Sequence, residues 1–235
     1  MSLDEFESLT KRRRATRQFL SDPIPDELLH RLLDIAHWAP SGYNLQPTHY
    51  TVVTDATLKS ALYEACLKQR QILEAPVVVV FSGDREAAKH HLERVLTRDR
   101  EAGAVNSDYE SLLRKNVGRA FAQGPVGLGW LGKATLPPLM RLVNPVPSIP
   151  AVHKQYWLTK QVMLSAMVFM LAATAAGLST VPMEGFDEQW VRRVLSIPSS
   201  HIVPVVIPVG YSKAGDLTKT RLPLADVLHR NRWGR

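Results

Sequence analysis

An α+β or mixed α/β fold is predicted by three features of this sequence. Four strand candidates, HYTVVT, PVVVVFS, LSTVPM and VVIPVGY, are set among longer helical segments. The chain has 235 residues, 45% of them hydrophobic, enough to bury a core as one domain or one domain with an excursion. Charged residues make up 22%, which argues against disorder or a fibrous repeat. Strand order does not follow from these features.

The N-terminus, MSLDEFESLTKRRRATRQF, carries acids and then basics with no apolar signal core, so a cytoplasmic chain is expected. Asp26 is suited to cap a helix whose apolar positions Leu28, Leu29, Leu32, Leu33 and Ile35 recur at helical spacing. That helix should stop at Trp38-Ala39-Pro40, because proline disfavours helix before it. SGYNLQP reads as a turn and leads into HYTVVT. Asp55 opens a second helix, and the continuous branched residues of PVVVVFS predict a buried strand.

Residues from about Asp84 to Gln123 read as helical and highly charged. The segment 124–150, rich in Gly and Pro, breaks the pattern and reads as an excursion suited to covering an active site. Val162 to Val181 runs twenty residues without a charge, long enough to span a bilayer. Its Ala, Ser and Thr content and the helix stop at Gly177 favour a buried core or dimer helix, and no membrane span is expected. A strand around LSTVPM, a short helix near Asp187 to Leu195 and the strand VVIPVGY complete the chain.

The formal charge of +7 suits either a generally basic surface or an anionic ligand. The basic residues are not interleaved with aromatics and no nucleic-acid-binding motif is present, so no nucleic-acid partner is expected and a phosphorylated small molecule is preferred. The single cysteine, Cys66, excludes an intrachain disulfide and any Cys-rich metal site. Among eight histidines no HExxH or other zinc-ligand spacing occurs, and no metal is expected. Neither GxGxxG nor a Walker loop is found, and Ser41-Gly42 lacks the context of a nucleophile elbow.

Four clusters could carry chemistry. Arg12-Arg13-Arg14-Ala15-Thr16-Arg17 offers guanidinium forks that pair with phosphate oxygens, though alone it reads first as a solvated helix end. Lys219-Thr220-Arg221-Leu222-Pro223 alone is an ordinary surface loop. Pro40 to Pro47 is a turn whose Ser41, Asn44 and Gln46 can exchange hydrogen bonds. Pro182-Met183-Glu184-Gly185-Phe186 follows a strand, where backbone N–H groups could face a ligand or simply turn the chain.

In this order the four clusters resemble the nitroreductase family, from about Arg12 to Pro223. The family's opening, roughly RRSxRxF, is similar to Arg13-Arg14-Ala15-Thr16-Arg17-Gln18-Phe19; APSSxNxQPW is similar to Ala39 through Pro47. The Pro-x-Glu-Gly-Phe turn and Lys-x-Arg-Leu-Pro are the third and fourth matches. The resemblance implies a mixed central sheet flanked by helices, in an intertwined homodimer with FMN at the subunit interface. It implies that Arg13, Arg14, Arg17, Lys219 and Arg221 hold the FMN phosphate, and that Pro40, Ser41 and Asn44 approach the flavin from the second subunit. Gln69, with Gln71 as the competing choice, would bond the pyrimidine edge; Pro182 would lie on the ring face. The backbone N–H groups of Glu184 and Gly185 would address flavin N5 and O4, with no side chain acting as acid, base or nucleophile.

The implied reaction is ping-pong: NADH or NADPH reduces FMN and leaves, and a nitroaromatic, quinone or related small-molecule acceptor takes the electrons. The alternatives are a narrower flavin reductase, such as a dehalogenase or unsaturated-bond reductase, and a non-catalytic flavin-binding redox sensor. Three departures stand out. Ala15 replaces the usual hydroxyl residue, Thr48 replaces a common aromatic, and 124–150 matches no subgroup.

Overall fold

The computed structural model of the chain describes residues 1–121, 153–213 and 219–234. The proposed excursion at 124–150 lies outside the described residues. Four strands, β1 (Thr48–Val53), β2 (Val77–Asp84), β3 (Ser179–Thr180) and β4 (His201–Gly210), form one sheet in the order β1-β2-β4-β3. Register is fixed by pairs such as Thr51–Val80, Val79–Ile207 and Thr180–Val209.

All of these strand pairs are antiparallel. Among the described residues the expectation of a mixed sheet is therefore corrected to one parallel contact, an isolated bridge between Ala15 and Thr180. The two-residue length of β3 leaves room for no more than that bridge on its outer side.

Helices cover both faces, which is why β2 reads as an unbroken apolar run. Successive side chains alternate in direction. Val77, Val79 and Phe81 pack with α2 (Asp26–His37) and the long helix α8 (Lys154–Ala175), through residues such as Leu32, Val162 and Phe169. Val78 and Val80 pack on the other side with α3 (Ala56–Ala65), α4 (Gln71–Glu74) and α9 (Glu188–Val194), through Leu62, Ile72 and Val191. The remaining helices are α1 (Leu3–Arg12), α5 (Ala87–His90), α6 (Leu92–Glu101) and α7 (Ser107–Phe121).

Asp55 and Asp187 cap α3 and α9, accepting from Leu58 N at 2.8 Å and Trp190 N at 2.9 Å. Asp26 does not cap α2: Pro25 occupies the cap position, and no side-chain cap bond forms. The charged stretch expected to be helical from Asp84 is interrupted. Asp84 ends β2, and Gly103 at φ 65° breaks the chain between α6 and α7.

The uncharged run is not one membrane-length helix, because α8 ends at Ala175 and Gly177 turns the chain at φ 77°. Among the described residues α8 alone is long and apolar enough to cross a membrane, by length and composition. It packs instead as a core helix against the sheet. Ser165 Oγ donates to Ala36 O at 2.9 Å and meets Tyr50 Oη at 2.7 Å, tying α8 to α2 and β1. Leu164 and Met167 face outward at 45% and 40% exposure, near-neighbours on an apolar stripe of the same helix.

Candidate functional site

The basic cluster is assembled by backbone ties. Helix α1 starts at a capping box, with Ser2 and Glu5 bonding each other's backbone N–H, and ends at Arg12. The chain then extends along β3, where Thr16 N donates to Thr180 O at 3.1 Å. Thr16 and Phe19 are buried and anchor the segment. From the other end of the chain, Lys219 Nζ donates to Thr10 O at 3.1 Å and Arg13 O at 2.7 Å.

Four cations therefore converge. Burial and the charge of Arg221 push the Arg13 guanidinium below its ordinary value. Lys219 is also lowered, first by burial and then by Arg13, Arg221 and Arg14. Among the described residues Arg13 Nη1 is buried without a hydrogen-bond partner, an arrangement that is costly unless an anion completes it. Arg17 is exposed on the same segment.

Directly after β3 the chain makes the Pro182–Phe186 turn. Met183 N and O bond Val206 at 2.9 and 3.0 Å, and Phe186 N donates to Glu184 O at 3.2 Å. Among the described residues no acceptor meets the N–H groups of Glu184 and Gly185. The Glu184 side chain is exposed. Gln69 stands against this turn, its Nε2 donating to Gly185 O at 2.7 Å. Gln71 lies behind it, buried, donating from Nε2 to Gln69 Oε1 at 2.9 Å. Leu67 and Lys68, at φ 55° and 58°, hold the strained backbone that presents Gln69.

The Pro40–Pro47 turn is equally constrained. Ser41 Oγ accepts from Gln46 N at 2.9 Å, and Ser41 O accepts from Asn44 N at 2.9 Å. Gln46 Nε2 bridges Asn44 O and Oδ1, both at 3.3 Å. Tyr43, Asn44 and Gln46 have φ of 58°, 52° and 46°, a concentration of strain typical of a functional turn. Gly42 N donates to Gln161 Oε1 of α8 at 2.7 Å. A Cβ at Gly42 would meet the Trp157 ring at 3.2 Å, so the ring would have to shift by a few tenths of an ångström.

These elements do not form one site within one chain. The basic cluster, the Pro182–Phe186 turn and Gln69 adjoin one another at the β3 edge. Pro40, Ser41 and Asn44 lead into β1, the opposite edge, three strand spacings or roughly 14 Å across the sheet. The ties that sequence reading missed are backbone acceptors: the carbonyls of Thr10, Arg13, Thr180 and Gly185. Residue type carries no signal for such contacts.

The profile of the nitroreductase family matches residues 10–211. A protein of Thermus thermophilus named NADH dehydrogenase is 32% identical over 217 residues, covering 92% of this chain and 91% of that protein. The Bacillus subtilis protein ydfN superposes with a TM-score of 0.78 at 26% identity, over 97% of this chain and 100% of the other. An Exiguobacterium sibiricum protein, crystallised in complex with FMN, gives a TM-score of 0.72 at 20% identity, over 96% and 97%. At that identity the last likeness concerns the fold.

Proposed function

The chain belongs to the nitroreductase family and is an oxidoreductase of it, and from that premise we propose that it is an FMN enzyme working as a homodimer. NADH or NADPH is the donor, and nitroaromatic, quinone or related electron-poor molecules are the acceptors, in a ping-pong sequence. The observation that carries the FMN reading is the buried, partnerless Arg13 Nη1 among three further cations. A phosphate dianion supplies the oxygens and the charge that this group needs.

Arg13, Arg14, Lys219 and Arg221 would hold the phosphate, with Arg17 an outer contact. The Thr16–Thr180 tie sets that cluster beside the Pro182–Phe186 turn. Pro182 would lie on the ring face, and the unpaired N–H groups of Glu184 and Gly185 would stabilise charge near N5 and O4 as fixed dipoles. Gln69, adjoining the turn, is the better candidate for the pyrimidine edge; Gln71 orients it from behind. FMN when bound supplies the two-electron chemistry, so no side chain here needs to act as acid, base or nucleophile.

Dimerisation would complete the site. Pro40, Ser41 and Asn44 stand at the far sheet edge and would reach the ring of a partner protomer. The outward Leu164 and Met167, with Trp38 82% exposed at the end of α2, are apolar surface suited to burial between protomers. The test is the visible spectrum of freshly purified protein, followed by NADH and NADPH consumption with menadione. A flavin spectrum with sustained turnover is expected. A flavin-free protein that gains no activity with added FMN would refute the proposal, and bound flavin without turnover would favour a sensor.

A further inference from the structure

We propose that His49, Asp84 and His91 form a binding site for one divalent transition-metal ion of the zinc type. The three side chains come from separate elements. His49 is on β1, Asp84 is the last residue of β2, and His91 lies between α5 and α6. One potential ligand atom from each lies within 4.8 Å of the others. The site stands by His201, at the end of β4 remote from the Thr180–Val209 pair and hence from the basic cluster, roughly 26 Å along the strand.

Hydrogen bonds hold two of the three donors in place. His91 Nδ1 bonds Leu45 O at 2.9 Å; donation there leaves the Nε2 lone pair outward, the arrangement that outer hydrogen bonds impose on ligating histidines. Asp84 is 2% exposed and rigidly held: Oδ1 accepts from Glu86 N at 2.8 Å, and Oδ2 meets His90 Nδ1 at 2.7 Å. Each carboxylate oxygen keeps a lone pair. His49 is packed edge-on against the His201 ring at 4.9 Å and tilted toward His91 at 5.8 Å, yet its side chain remains exposed.

Tetrahedral zinc, with bonds of about 2.0–2.1 Å to nitrogen, places ligand atoms about 3.4 Å apart. The group must contract by about 1.5 Å at most, within reach of the exposed His49 side chain. Two imidazoles and one carboxylate suit zinc-type ions rather than magnesium or calcium, which take all-oxygen sets. The groove lined by Gln46, Thr48, His49 and His91 gives the ion a path of entry. Bound metal would cross-link β1, β2 and the α5–α6 junction beside the Pro40–Pro47 turn.

The test uses untagged protein, stripped with EDTA, dialysed and titrated calorimetrically with zinc chloride. One equivalent per chain is expected, with micromolar or tighter affinity and a raised melting temperature. His49→Gln and His91→Gln should each weaken binding at least tenfold, while His30→Gln, an exposed histidine on α2, should not. Circular dichroism checks folding, and the exposed position of His49 keeps its variant informative even where His91→Gln unfolds. No zinc uptake by the parent, or equal uptake by His49→Gln, would overturn the proposal. Because the readout is the metal itself, that failure would leave the flavin reading untouched.

Discussion

Replacing Arg13 by Met should move flavin affinity and unliganded stability in opposite directions. Met keeps most of the apolar stem but removes the guanidinium, whose Nη1 is buried without a partner and whose charge faces Arg221. A charge-assisted phosphate bond contributes about 1.5–3 kcal/mol, so FMN should bind roughly ten- to 150-fold more weakly. In the unliganded protein the same guanidinium is a liability. An unsatisfied buried donor costs about 1–3 kcal/mol, and solvent access to the rest of the group points to the lower end. The flavin-free variant should then melt about 2–4 °C higher than flavin-free parent. The Lys219–Arg13 bond runs to the backbone carbonyl and survives the substitution. Fluorescence titration of FMN and melting of both apoproteins provide the two readouts. Unchanged FMN affinity would refute the phosphate assignment, and a destabilised apoprotein would show that Arg13 is an ordinary structural residue.

Glu184→Ala should keep FMN and most of the rate of flavin reduction in rapid-mixing measurements, because only the backbone N–H is assigned a role. Glu184→Pro should slow that step sharply by removing the N–H, and equal slowing in both would make the carboxylate essential. Burial pushes the Cys66 thiol up to about 12. With about one molecule in ten thousand as thiolate at pH 8, labelling by a disulfide reagent should proceed only as the protein unfolds; rapid native labelling would contradict the buried placement. Met167→Asp should charge the outward face of α8 and shift the sedimentation coefficient toward monomer, with loss of flavin. A stable monomer with full flavin content would separate FMN binding from dimerisation.

Local signals were legible in the sequence and non-local ones were not. The β2 run, the helix opened at Asp55, the short helix near Asp187 and the stop at Gly177 rest on a few neighbouring residues, and the structure contains each. The cap assigned to Asp26 failed because Pro25 takes the position, with no side-chain bond made. β4 begins at His201, ahead of the expected Val205, because Pro204 looks like a break but lies within the strand. The order of Arg13, Ser41, Glu184 and Arg221 along the chain revealed the family. It could not reveal that Lys219 reaches the carbonyls of Thr10 and Arg13, or that Gln71 backs Gln69. The histidine–aspartate group draws on positions 49, 84 and 91, a spacing no local pattern contains.

Native mass spectrometry of freshly purified, untagged protein tests the central claim most directly, since it weighs the chain and the cofactor together. The account predicts a dimer carrying two FMN molecules, with flavin lost in step with dissociation into monomers. A monomer that retains one FMN, or a dimer that binds none when FMN is supplied, would contradict it.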